Sequence, residues 1–225
     1  MRKGLNVLLV FAAILVLCCT TAQARMDVKE YSGFLGDYSQ LKPGPDGGAK
    51  LLFLKEGVDF SKYDKIMLDQ VVFYFSPNAK NKEVNPEQMK ELADLFHKAV
   101  FEALGSAYPL VDQPGPGVMR VRVAITDIDL PNRALNTVTT VVPIGLAISF
   151  VKKGATGKGS FVGEISMEME VLESVTNERL AAAADRQAGG KIDSMSKFGT
   201  AEDAFKFWAG RLRTRLDEFH GKTGE

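Results

Sequence analysis

Residues 118–130 read Val-Met-Arg-Val-Arg-Val-Ala-Ile-Thr-Asp-Ile-Asp-Leu. Met119, Val121, Val123 and Ile125 recur at every second position, with Arg120 and Arg122 between them. A period of two puts the apolar set on one face of a strand and the arginines on the other. Beyond Thr126 the apolar residues Ile128 and Leu130 fall on the opposite parity. A one-residue slip near Thr126 returns both halves to the same face, so the stretch predicts a strand with a bulge or bend there.

The same alternation returns between Phe161 and Val171. Ile165, Met167, Met169 and Val171 share one face, and Glu164, Ser166, Glu168 and Glu170 share the other. Ser174–Glu178 reads as a hairpin loop, with Leu180 to Arg186 as the returning strand. The acidic face is expected opposite Arg120 and Arg122. Such cross-strand pairs contribute only about 0.2–1 kcal/mol each, so they select a register rather than hold the fold. Lys65 to Phe75 is apolar on both faces, through Ile66 and Val71–Phe75, and predicts a central strand covered on both sides. Leu51–Leu54 offers a further short strand.

Two helices follow from the other period. Asn85, Pro86 and Gln88 form a capping-box start, and Met89, Leu92, Phe96, Val100 and Ala103 make a stripe at three- and four-residue steps, ended by Gly105. Phe205, Trp208, Leu212, Leu216 and Phe219 give a second stripe near the C-terminus. The predicted fold is α+β: a mixed or mainly antiparallel sheet of about four to five strands, with both amphipathic helices packed on one face.

The N-terminus carries an address. Arg2 and Lys3 precede an apolar run from Leu5 to Cys19, and Ala22-Gln23-Ala24 is a small-x-small cleavage site. The run is shorter than the roughly 20 apolar residues of a membrane-spanning helix. Residues 1–24 are therefore read as a signal peptide, 25–60 as an irregular N-terminal arm and 61–225 as one α+β domain. The arm contains Lys42-Pro43-Gly44-Pro45-Asp46-Gly47-Gly48, dense in turn formers. On local chemistry the mature chain begins at Arg25. Cys18 and Cys19, the only cysteines, are the candidate lipidation sites, but Leu17 is larger than the residue that lipoprotein processing prefers before its cysteine. Loss of the leader leaves no cysteine, so no disulfide staples the domain and its core must supply the stability.

Lysine plus arginine and aspartate plus glutamate both total 28, and removing the leader takes away two basic residues and no acid. No clustered basic face appears, which argues against a nucleic-acid partner. The most unusual stretch is Val138–Val151, VTTVVPIGLAISFV, uncharged throughout and followed by Lys152-Lys153. Three readings stand: a buried core segment, an apolar patch for a partner protein, or a segment dipping into a bilayer surface. Under the second and third, Val138, Val142, Ile144, Leu146, Ile148 and Phe150 make the contact. Lys153–Ser160, KGATGKGS, fails as a phosphate loop. Its first two glycines are too close, Gly159 follows Lys158, and a strand rather than a helix comes next. His97 and His220 are too few to make a zinc site without thiols, and no metal or cofactor is expected. Asp127 and Asp129 are read as solvated carboxylates at the bulge, and Ser194 and Ser196 have no neighbouring base.

Several segments together resemble one family. Ser32-Gly33-Phe34-Leu35, Asp37-Tyr38-Ser39 and Leu41-Lys42-Pro43-Gly44 resemble its N-terminal signature. Ala134–Thr137, Pro143–Leu146, Gly157–Ser160 and Val162–Glu164 resemble its middle, and Ser174–Ala182 and Phe205–Ala209 its end. This is domain of unknown function 3313, a family of bacterial proteins classed as lipoproteins. The resemblance implies an envelope protein and supplies no reaction or active site. The expected function is that of an exported, non-enzymatic envelope protein of the periplasm, or associated with the outer membrane, that binds another envelope protein or the membrane surface. The alternative is an envelope hydrolase or small-ligand-binding protein using carboxylates such as Asp127 and Asp129.

Overall fold

The computed structural model describes residues 31–79, 84–129, 163–188 and 199–222. Seven strands form one mixed sheet: β1 (Lys42–Pro43), β2 (Leu51–Leu54), β3 (Lys65–Leu68), β4 (Val72–Phe73), β5 (Val118–Asp129), β6 (Glu164–Glu173) and β7 (Arg179–Ala188). Among the described residues two helices, α1 (Pro86–Leu104) and α2 (Gly199–Phe219), complete the core, with a short 3-10 helix at Phe60–Lys62. The strands lie in the order β1-β2-β7-β6-β5-β3, with β4 also on β5. The α+β class and the two helices are as expected. Leu51–Leu54 forms the expected short strand, and the count exceeds the four to five expected because the arm also supplies β1 and the Lys65–Phe75 stretch divides.

The long strands follow their alternation. Ile125 pairs with Met167 and Asp127 with Ser166, so Thr126 is the extra residue and the predicted slip lies there. The slip lets Met119, Val121, Val123, Ile125 and Ile128 all enter one core. A second slip, between Val171 and Leu172, leaves Leu180 unpaired on β7 and buried.

Lys65–Phe75 is not a central strand. β3 and β4 run in succession along the outer side of β5, both parallel to it. The break falls at Asp69, whose carboxylate takes Nε and Nη2 of Arg120 at 2.9 and 2.8 Å. Val72 and Tyr74 are 42% and 50% exposed, so the outer side faces water. A parallel neighbour needs a long crossover, and α1 lies within the one between β4 and β5.

The helices begin and end for local reasons. The Asn85 side chain accepts from the Gln88 N–H at 2.8 Å, and the Gln88 side chain accepts from the Asn85 N–H at 3.3 Å. Leu92, Phe96, Val100 and Leu104 of α1 and Phe205, Trp208 and Leu216 of α2 join the same apolar cluster as the core face of β5 and β6. Phe96 meets Phe205 edge-on with ring centres 5.4 Å apart. Arg213 of α2 donates to the free carbonyls of Ala103 and Leu104, which satisfies the C-terminal end of α1.

Candidate functional site

The helix side of the sheet is not filled evenly. β7 contributes Leu180-Ala181-Ala182-Ala183-Ala184, and its small side chains lie in register with larger neighbours. Leu52 pairs with Ala182's neighbour Ala183, which pairs with Met169; Leu54 pairs with Ala181, which pairs with Val171. Above these two rows runs α2, presenting Phe207, Trp208, Arg211, Leu212 and Arg215. Alanine beneath a helix leaves space that a larger side chain would partly occupy. The result is an apolar groove of about 210 Å³.

Each boundary of the groove has a cause. The β1–β2 hairpin brings Pro45, Gly48 and Ala49 to it. A Cβ on Gly44 would lie 1.9 Å from the Ala49 carbonyl oxygen, so that hairpin closes only with glycine. Phe60 and Phe219, which also line the groove, stack at 4.4 Å. Trp208 Nε1–H donates to Asp185 Oδ2 at 2.7 Å and fixes α2 over β7. Leu54 on β2 and Arg215 on α2 are partly exposed and form the rim. The charged residues of the lining are Arg211 and Arg215, one helical turn apart. Arg215 pairs with Glu218 at 2.7 Å. Arg211 has no carboxylate within ion-pair distance among the described residues.

The opposite face of the sheet carries a buried polar layer. Glu168 is 2% exposed. Its carboxylate accepts from the Ser32 N–H at 2.8 Å, the Ser32 hydroxyl at 2.7 Å and the Tyr38 hydroxyl at 2.6 Å. The segment Ser32–Tyr38 is thus strapped across β6. Burial, and then the hydrogen bond to Glu168, push the Tyr38 hydroxyl up to about 12. Beside it, Glu170 pairs with Arg122 and with Arg179, the latter at 2.9 Å. Arg122 stands directly opposite Glu170 in the ladder, as the charge pattern anticipated. Arg179 also donates to the carbonyls of Leu35 and Asp37, and the Arg122 guanidinium lies 5.1 Å from the Phe34 ring centre. Glu168, Arg179 and Arg122 of this layer hold the strap.

The residues singled out from sequence fall unevenly. Cys18, Cys19, Val138, Val142, Ile144, Leu146, Ile148 and Phe150 lie outside the described residues, as do Ser194 and Ser196. Asp127 and Asp129 are not solvated: each is 6% exposed, and Asp127 lies 3.8 Å from Arg186. The extra residue at Thr126 turns them onto the strap side of the sheet, away from the groove. His97 and His220 each turn Nδ1 to the carbonyl four residues back, at 2.9 and 2.8 Å. The groove was missed because alanines read as neutral filler. The available signal was a run of small residues on a strand opposite methionines, under a helix carrying arginines at four-residue spacing.

Fold and groove define an α+β domain with one mixed sheet, a strapped polar face and a helix-backed face holding an apolar recess. The chain belongs to the family described as protein of unknown function DUF3313, whose model matches residues 30–212. It is similar to the uncharacterized lipoprotein YdcL of Escherichia coli K12, 28% identical over 190 residues that cover 80% of this chain and 83% of the relative. Among solved structures, the PelC dodecamer from Paraburkholderia phytofirmans aligns at a TM-score of 0.38 and 8% identity, over 71% of this chain and 96% of that one. A Xanthomonas campestris protein of family DUF330 aligns at 0.38 and 8%, over 75% and 92%.

Proposed function

We propose that the protein is an exported, non-catalytic binding protein of the bacterial envelope, and that the groove between α2 and β2, β7 and β6 receives an apolar part of another envelope component. The observation that carries this reading is the recess itself. Among the described residues, apolar surface is left uncovered where β7 carries Ala181 and Ala183 beneath α2. A cavity with apolar walls favours an apolar guest over water. Export is supported by the leader and by the lipoprotein designation of the Escherichia coli relative. Asp127 and Asp129 are buried and do not line the groove, which supports the binding reading over the carboxylate one.

Two measurements test the proposal. Intact mass of the protein from membrane and soluble fractions reads the leader. A start at Arg25, or an acylated Cys18 or Cys19, agrees with export; a chain retaining residues 1–24 overturns it. For the groove, material co-purifying with the wild-type protein is compared by mass spectrometry with that of Ala183→Leu. Loss of an apolar component from the variant is expected. Identical material from both proteins removes the groove from the account.

A further inference from the structure

We infer that the groove takes one hydrocarbon chain of a fatty acid, with Arg211 receiving the carboxylate. The inference rests on the reading of the groove as a binding site and gives that site its ligand class. Three observations lead to it. The floor and walls are hydrocarbon and thioether, from Leu52, Ala183, Met167, Met169, Phe207 and Leu212. Methionine side chains adapt to a flexible guest. The volume of about 210 Å³ is below the roughly 300–1,000 Å³ of sites that enclose drug-sized ligands, which suits part of one chain and not a two-chain lipid. The charge in the lining is of one sign and belongs to arginines on a single helix face.

The two arginines differ. Arg215 is held by Glu218, whereas Arg211 meets no carboxylate among the described residues. Guanidinium presents a planar fork that matches a carboxylate in two parallel hydrogen bonds. A chain lying over Ala183 and Met169 with its head at Arg211 pairs each part of the ligand with the surface it prefers. The ligand is bound and released unchanged; no bond is made or broken.

The test uses the purified processed protein and a fluorescent polyene fatty acid as probe, displaced by palmitate, by the alcohol of the same chain length, and by neutral phosphatidylcholine vesicles. Saturable binding of one probe per chain is expected, displaced by palmitate and not by vesicles. Ala183→Leu should weaken the probe about tenfold or more by occupying the floor. Arg211→Gln should weaken palmitate about five- to tenfold and leave the alcohol unchanged. Thermal melting checks the fold of both variants. If Ala183→Leu melts early, Ala181→Leu or Met169→Phe replaces it. Equal affinity for acid and alcohol, or an Arg211→Gln protein that binds palmitate like wild type, overturns the carboxylate assignment. Displacement by vesicles instead points to a bilayer and overturns the inference. If the fatty acid fails to bind while an Ala183-dependent envelope component is still recovered, the ligand class falls and the binding reading stands. If neither appears, both fall.

Discussion

Trp208 Nε1–H donates to Asp185 Oδ2 across 2.7 Å, and Asp185 is only 1% exposed. The bond joins the middle of α2 to β7. Asp185 also accepts from the Lys50 N–H at 3.0 Å and from Gln187 Nε2 at 2.7 Å, so a single buried carboxylate ties β2, β7 and α2 together. These three elements enclose the groove.

Trp208→Phe keeps most of the apolar packing and removes one donor from that carboxylate. A buried acceptor left short of a partner costs about 1–3 kcal/mol. The expected result is an unfolding free energy lowered by that amount, read as a lower urea midpoint at unchanged slope and followed by circular dichroism because Trp208 is the sole tryptophan. Asp185→Asn keeps one oxygen for Trp208 and Gln187 but turns an NH2 donor towards the Lys50 N–H, so it should cost at least as much as Trp208→Phe. A smaller cost would mean that the Lys50 contact adds little and that the Trp208 bond alone holds α2.

Glu168 does the corresponding work on the other face. Glu168→Ala removes the acceptor for the Ser32 N–H, the Ser32 hydroxyl and the Tyr38 hydroxyl. The strap should open while the sheet remains paired. Hydrogen exchange at the Ser32 amide and proteolysis within residues 33–41 should both rise about tenfold or more, because local opening follows the free energy of the local contacts. A global loss of about 1–3 kcal/mol accompanies it. Unchanged exchange at Ser32 would show that Arg179 alone, through the Leu35 and Asp37 carbonyls, holds the strap.

The tyrosines give a pH signature. Tyr38 is raised from 10.0 to about 12 by burial and by its bond to Glu168, and Tyr108 reaches about 12 by burial and by its bond to Asp217. Both pKa values are higher folded than unfolded, so the native state holds these protons more tightly. The stability they contribute is complete below about pH 10 and is lost as pH rises towards 12. Tyr38 and Tyr108 should ionise late in a near-ultraviolet absorbance titration, and Tyr38→Phe should remove one of this pair. A native protein in which Tyr38 and Tyr108 both ionise near 10 contradicts the buried hydroxyls.

What could be read from the sequence was whatever leaves a period. The strand faces around Met119–Ile128 and Ile165–Val171, the capping box at Asn85 and both helix stripes were legible because burial imposes spacing on large side chains. The edge position of Lys65–Phe75 was not. Apolar residues on both faces mark a covered strand, but Asp69 interrupts the run to meet Arg120, a partner 51 residues away that no local pattern names. The two-residue strand at Lys42–Pro43 was hidden by the glycines and prolines of its own turn. The groove was invisible for a related reason. Periodicity reports where large residues are, and the groove is where they are missing. The polar strap was half legible: its signature Ser32–Ser39 stood out by resemblance, and the acidic face of β6 by alternation, but only the fold places one on the other.

The bulge at Thr126 offers the sharpest test of that reading. Ile125 faces Met167 and Asp127 faces Ser166, so Thr126 has no opposite number. Removing it should let the ladder run straight through, with Ile128 still opposite Ile165 and every core residue on its own side. The expected cost is small: chiefly the hydrogen bond from the Ser76 N–H to the Thr126 carbonyl, 2.9 Å long and worth about 1 kcal/mol. Removing Arg122 instead also shortens β5 by one residue, but there the ladder has no slack. Either Met119 and Val121 or Val123 and Ile125 must turn to the strap face, and burying each such side chain is worth about 1.5–3 kcal/mol. Thr126 deletion should therefore give a cooperative melt near wild type, and Arg122 deletion a protein without one. Equal damage from the two deletions would show that β5 needs its bend for more than parity, most directly to offer the Thr126 carbonyl to the Ser76 N–H on its outer side.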